Sequence, residues 1–353
     1  MVKKIKKLEA RTIFNSQGGL TLEAKLTTTE NKTFTASIPE GLSRGRGEST
    51  YLSPPVALAQ IRQKLIPPLL VKTPSSQEEL DAFLLLKNCA ANATLPISLV
   101  FAKAFHSFPL PRPIKKRPKL MMLIFEGGKH GNKKIKIQEF MLIVNRFETG
   151  KKIFDQTQKY LLRQGLSITT GAEGGFSPPG LNDHQVLKLL TRLVGKKYPL
   201  AIDIANNHAQ LTSQKLSRLI NSHPTLYSIE DPAEETKIDL WKKIYQQWGH
   251  QKQIVGDDLT VTDSEKIKAW GGKLFNAVVI KPNQQKTMTQ ARLAVKAAQN
   301  LKLKVIVSHR GTDTNEDFIA DFALSVEADY VKFGAPNRGE RIAKYNRLQE
   351  LLL

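Results

Sequence analysis

Residues 225–235, TLYSIEDPAEE, decide how this chain is read. An apolar run from Leu226 to Ile229 ends abruptly in two carboxylates, Glu230 and Asp231, followed by a proline. A short apolar run closed by turn residues reads as a buried strand. The same pattern recurs along the second half of the chain. Strand-like runs end at Asp203 (LAIDIANN), Glu230, Asp257 (QIVGDDL), Lys281 (NAVVIKPN), His309 (KVIVSHR) and Lys332 (ADYVKFG), at successive spacings of 27, 27, 24, 28 and 23 residues. Each interval holds one strand, one helix and two loops. Helical patterns such as TQARLAVKAAQN and NEDFIADFALSV fill the intervals.

Two further apolar runs precede this series, LMMLIF (120–125) and IQEFMLIV (137–144). Helical stretches near 148–164 and 182–197 follow them, separated by TTGAEGGFSPPG. Two strands, two helices and six strand–helix units predict an α/β protein with a (β/α)8-type barrel of order ββαα(βα)6. A doubly wound sheet usually carries a Gly-rich phosphate loop after its first strand, and none stands there. Upstream, residues 3–14, 20–28 and 32–38 alternate as strands do, and helical stretches lie near 54–65, 76–86 and 92–107. The Pro-rich, charged segment FPLPRPIKKRPK reads as a linker. The sequence thus predicts a smaller α+β domain over 1–110 and a barrel domain over 111–353.

The chain of 353 residues carries 53 Lys and Arg against 32 Asp and Glu, a formal charge of +21. Nine of these cations fall between Arg112 and Lys136. Such an excess favours anionic ligands: phosphorylated metabolites, nucleic acid or another polyanion. The single cysteine, Cys89, excludes an internal disulfide, suits a reducing compartment and reads as a small buried apolar residue. No stretch has the apolar core of a signal peptide or the roughly 18 apolar residues of a membrane span. A soluble, cytoplasmic protein is expected.

Parallel barrel strands all end on one face, where active sites sit. Asp203, Glu230, Asp257, Lys281, His309 and Lys332 are therefore expected around one cavity. Three carboxylates with no cysteine form an all-oxygen set suited to Mg²⁺. Lys281, at the next strand end, is suited to act as a base, with burial and nearby metal charge lowering its pKa. A base beside such a metal matches removal of a proton α to a carboxylate.

These residues carry a resemblance. IEDP, VGDDLTVT, IKPNQ, SHR and KFGAPNRGERIAKYNRL resemble the barrel motifs of the enolase family, in the family's order. GGKHG, IQEFM, GAEGGFSP, NSQGG and IPEGLSRG upstream resemble it as well. The resemblance spans nearly the whole chain. It implies the same barrel order and the reversible dehydration of 2-phosphoglycerate to phosphoenolpyruvate. It also implies two Mg²⁺ ions, the second arriving with substrate, and a homodimer. Lys281 would take the C2 proton and Glu173 would help the C3 hydroxyl leave. Asp203, Glu230 and Asp257 would hold the first ion, and Ser43 would help hold the second. His309, Arg310, Gly311 and Lys332 would bind substrate, with Arg310 on the phosphate. His130, Gln138 and Glu139 would line the reacting end.

The chain also departs from the family pattern. It is shorter, chiefly after the Ser43 loop, between Asp203 and Glu230, and at its end. Glu40, Leu42 and Arg44 stand where small residues are expected, Gln17 replaces an arginine, and Ala172 replaces an aspartate. Gly311 replaces a serine, which leaves a backbone N–H but no hydroxyl for the phosphate. Two alternatives accompany the enolase reading: an enolase-like protein that binds nucleic acid or another polyanion through its basic surface, and a different lyase of the same superfamily.

Overall fold

The computed structural model describes residues 4–41 and 45–353. Ser43, expected to help hold a metal ion, lies outside the described residues, as do Leu42 and Arg44. The chain opens with an antiparallel meander of β1 (Ile5–Phe14), β2 (Leu20–Thr28) and β3 (Thr33–Ser37), paired in that order. The β1–β2 turn is set by Asn15, whose Oδ1 accepts the N–H groups of Gln17 and Gly19 at 3.0 Å each. Alternation puts Leu22, Ala24 and Leu26 on one buried face of β2.

Helix Ala91–Phe105 packs against that face and is buried almost all round. It is apolar on every side because the barrel covers the side that the sheet does not. Buried polar bonds fasten it there. Thr94 Oγ1 donates to the Lys286 carbonyl at 2.7 Å. Ser98 Oγ accepts the Met288 N–H at 3.0 Å and donates to Asp81 Oδ1 at 2.7 Å. Asp81 Oδ2 takes the Thr289 N–H at 2.8 Å. Cys89 is buried, as expected.

Eight strands close the barrel: β4 (Lys119–Glu126), β5 (Glu139–Val144), β6 (Leu200–Asp203), β7 (Leu226–Glu230), β8 (Gln253–Gly256), β9 (Ala277–Ile280), β10 (Lys304–Ser308) and β11 (Tyr330–Lys332). They read as unbroken apolar runs because both their faces are covered. All are parallel except β5, which runs antiparallel to both β4 and β6. The reversal decides the site. β5 begins where its neighbours end, so Glu126, Glu139, Asp203 and Glu230 pair across four strands in one row at the mouth.

The N-terminal part lies over that mouth. Glu40 and Thr312 exchange backbone bonds at 2.7 and 3.1 Å, and Asn283 Nδ2 donates to the Pro39 carbonyl at 3.1 Å. The β4–β5 connection folds back on itself through Gly127 N–H to the Gln138 carbonyl (3.0 Å) and Gly128 N–H to the Ile135 carbonyl (2.7 Å). A Cβ at Gly127 would run into the carbonyl oxygens of Ile135 and Ile137. Gly127→Ala should therefore cost about 1–3 kcal/mol, the range for overpacking a tight site, read as a lowered midpoint in urea unfolding. An unchanged midpoint would show that the connection yields without strain.

Candidate functional site

Three of the four acids of the row are held together by one cation. Lys332 Nζ lies 3.1 Å from Glu139 Oε2, 3.2 Å from Asp203 Oδ2, and 2.8 and 2.9 Å from the two oxygens of Glu230. The lysine is 2% exposed. Burial alone would discharge it, but the three carboxylates hold it ionised, well above its ordinary value. Glu139 feels the opposite balance. Burial dominates there and pushes its carboxyl up to about 8 despite Lys332. Glu230 is likewise raised well above the usual range, by burial and by the neighbouring Asp203.

Asp257, just past the end of β8, turns to a different cation. Its Oδ2 pairs with Lys281 Nζ and its Oδ1 accepts from Gln284 Nε2 at 3.0 Å. Burial pushes Lys281 toward neutrality, as expected from the sequence, yet with no metal charge beside it the Asp257 carboxylate outweighs burial and raises the lysine above its ordinary value. Of the three carboxylates expected to hold a metal, Asp203 and Glu230 share Lys332 and Asp257 pairs with Lys281. Asp257 also stands with Asp231 and Asp258, one carboxylate oxygen from each lying within 4.8 Å of the others.

The pair Glu230–Asp231 now divides into two roles. Glu230 faces the mouth, while Asp231, at φ +43°, turns its carboxylate onto the N–H groups of Asp257 and Asp258 at 3.0 and 2.9 Å. Asp231 fixes the loop that carries Asp257.

The donor set suits a hard divalent ion. Among the described residues, Glu139, Asp203, Glu230 and Asp257 form their ion pairs with Lys281 and Lys332, four buried carboxylates against two ammonium groups. The excess of two negative charges is what one Mg²⁺ would neutralise, and every donor is oxygen. The raised Glu139 and Glu230 express the same excess of acid.

Across the mouth, Glu173 Oε2 lies 2.9 Å from His309 Nε2, and its Oε1 lies 3.5 Å from His130 Nδ1. The tautomer of His309 is fixed from behind. Arg341 Nη1, a donor only, lies 2.6 Å from His309 Nδ1, so Nδ1 accepts and Nε2 carries the proton toward Glu173. Burial lowers His309 to about 4 and keeps it neutral. Burial opposes ionisation of Glu173, but the imidazoles of His309 and His130 overcome it and hold the carboxyl well below the usual range. In this structure Glu173 is thus held as a carboxylate beside two imidazoles. Glu126 Oε1 accepts the Glu173 N–H at 2.7 Å, and burial with the nearby Glu173 charge raises the Glu126 carboxyl.

One small enclosed cavity, about 20 Å³, is lined by Ser308 together with His130, Gln138, Glu139, Glu173, Lys281, His309, Arg310, Gly311 and Lys332. The nine besides Ser308 are residues singled out from the sequence. Glu48, Glu126 and Arg341 were not. Glu48 takes Arg310 in a two-pronged pair, with distances of 3.0 and 3.1 Å. Glu126 had a visible signal, since it ends an apolar run in acid as Glu230 does. Arg341 lies inside a terminal helix, Gly339–Leu352, where one arginine looks like any other.

Arg341 is fully buried and also donates to the carbonyls of Arg310 and Gly311 at 2.6 Å and to Asp313 Oδ2 at 2.9 Å. Arg341→Met would leave Asp313 and two carbonyls short of a donor. We expect a loss of about 3–5 kcal/mol, as for one broken member of a buried pair, measured by chemical denaturation. A loss below about 1 kcal/mol would mean that Lys344, 3.2 Å from Asp313, carries the site instead.

Comparison with known proteins gives consistent matches. The family model for the enolase C-terminal TIM barrel domain matches residues 194–351. The chain is similar to proteins named Enolase from Campylobacter lari (31% identity over 402 aligned residues, 99% of this chain and 97% of the relative), Bdellovibrio bacteriovorus (31%, covering 96% and 93%) and Ehrlichia chaffeensis (31%, covering 98% and 95%). Among the described residues no helix is long and apolar enough to cross a membrane.

Proposed function

The chain belongs to the enolase family, and we propose that it is a Mg²⁺-dependent lyase that dehydrates 2-phosphoglycerate to phosphoenolpyruvate. One observation carries the reading. Lys281 and Glu173 line one cavity, beside four buried carboxylates that are paired with only two lysines. Asp203, Glu230 and Asp257 would hold Mg²⁺, and Ser43 would help hold a second ion. Bound there, Mg²⁺ supplies positive charge to the substrate carboxylate as charge develops at C2.

The chain's own residues do the rest. Lys281 takes the proton from C2 once its own proton is gone, and its pairing with Asp257 sets when that happens. Glu173, poised between His130 and His309, takes up a proton and delivers it to the departing C3 hydroxyl. Arg310 receives the phosphate, assisted by the Gly311 backbone, and exchanges its bond to Glu48 for it. Gln138, Glu139 and Lys332 orient the remaining oxygens. The same reading takes the chain as a cytoplasmic homodimer. Lys115, Lys116 and Arg117 are exposed, and a salt-dependent polyanion contact on that face is a second, separate property.

Base and acid separate experimentally. Lys281→Ala should abolish both enol formation, followed by ultraviolet absorbance, and exchange of the C2 proton with deuterated water. Glu173→Gln should stop elimination and leave exchange running. Each loss should be about 10²–10⁴-fold. Normal turnover in Lys281→Ala would refute the assignment of the base.

The charge balance gives a second expectation. Mg²⁺ should raise the unfolding temperature of the unmodified protein, and Glu230→Gln should remove most of that rise. An equal rise in both proteins would place the ion elsewhere.

A further inference from the structure

A second cluster of metal-type ligands stands beside the acid row and has no part in holding Mg²⁺. One ligand atom each from Glu126, His130 and Glu173 lies within 4.8 Å of the others, and all three residues are buried. Among the described residues, Glu126 Oε2 and both ring nitrogens of His130 have no hydrogen-bond partner. His130 is 7% exposed and Glu126 is fully buried. A buried carboxylate oxygen and a buried imidazole left unpaired against each other are costly unless something satisfies both.

The surroundings hold the ligands in place. Glu126 is fixed by the β4–β5 pairing and by its bond from the Glu173 N–H. Room for its carboxylate comes from Gly171, where a Cβ would collide with Oε2, and from Gly175, where it would press on Cγ at 2.8 Å. His130 also borders a surface cleft of about 500 Å³, shared with Gly171, Ala172 and Ser177.

The donors differ from those of the acid row. One imidazole nitrogen with two carboxylate oxygens is a mixed set that suits Zn²⁺, whereas Mg²⁺ favours oxygen alone. Ligands at about 2.0–2.2 Å from a tetrahedral Zn²⁺ lie about 3.3 Å apart, and His130 Nδ1 is already 3.5 Å from Glu173 Oε1. We propose that Glu126, His130 and Glu173 form a transition-metal site, with Zn²⁺ as its ion and a water from the cleft as fourth ligand. An ion there withdraws Glu173 from proton transfer, so it switches the lyase off. That consequence rests on the function proposed above, whereas the binding does not.

The full-length protein, saturated with Mg²⁺, should be titrated calorimetrically with ZnCl₂ beside its Glu126→Gln variant. The unmodified protein should take one further Zn²⁺ that Mg²⁺ does not displace, and the variant should bind it at least about tenfold more weakly. Equal zinc binding in both proteins overturns the site and would locate the ion at a surface pair such as His184–His223, whose ring nitrogens are 3.1 Å apart. Co²⁺ gives a test that needs no variant. A four-coordinate ion with a nitrogen ligand absorbs strongly in the visible, and a spectrum typical of six oxygen ligands alone would also overturn the proposal. With 2-phosphoglycerate, Zn²⁺ should inhibit at saturating Mg²⁺ in the unmodified protein and at least tenfold less potently in Glu126→Gln. If no turnover occurs with Mg²⁺ at all, the lyase reading fails, and the two titrations still decide the metal site.

Discussion

The ammonium of Lys332 is the interaction on which the mouth of the barrel depends. Three buried carboxylates from three adjacent strands converge on it. Without that charge, closing the sheet would press Glu139, Asp203 and Glu230 together in a low-dielectric interior, where like charges repel strongly. The lysine resolves the repulsion only partly, because one cation faces three acids. The remaining imbalance appears as raised proton affinities and as the pull of Asp257 on Lys281. A pocket tuned in this way responds strongly to any added positive charge, and the family's chemistry needs such a response.

Much of this was legible in the sequence, and the exceptions have physical reasons. The rhythm of apolar runs ending in charge disclosed the barrel and three residues of the central cavity, Lys281, His309 and Lys332, and the resemblance to the enolase family supplied the other six. The rhythm did not disclose that β5 runs backwards, because a fully buried strand is a plain apolar run with no direction written in it. Reversal is why Glu139, which opens its strand, stands level with Asp203 and Glu230, which close theirs. Pairings were also hidden. The sequence shows that Lys281 and Asp257 share a rim, but which carboxylate each lysine takes depends on side-chain geometry. Lys281 is accordingly an ammonium where burial alone argued for a neutral amine. Arg341 was invisible for a different reason. It acts by filling the space behind His309 and setting its tautomer, a role that its place in the stretch KFGAPNRGERIAKYNRL does not reveal.

The N-terminal part contributes by position. Its sheet and its buried helix are joined to the barrel through backbone pairs and a short polar network rather than through a broad charged face. Such ties are directional, so they fix where residues 39–41 and 45–49 lie against the mouth. Glu48 reaches Arg310 from that segment, and Ser49 N–H bonds the Gln284 carbonyl at 3.0 Å. Parts of the chain more than two hundred residues apart therefore share one pocket.

With Arg310 in the phosphate-binding role proposed above, the Glu48–Arg310 pair would make the pocket a charge filter. Any anion arriving at the guanidinium meets a competitor already in place, tethered by its own chain at an effective concentration of order millimolar or higher. A ligand with one carboxylate offers Arg310 only what Glu48 already provides, so at ordinary concentrations it gains little by exchange. A phosphate, with more charge and a third oxygen, offers more than it displaces. Discrimination between small organic acids and their phosphorylated counterparts is thus written into the resting state, before any contact with the rest of the molecule is made.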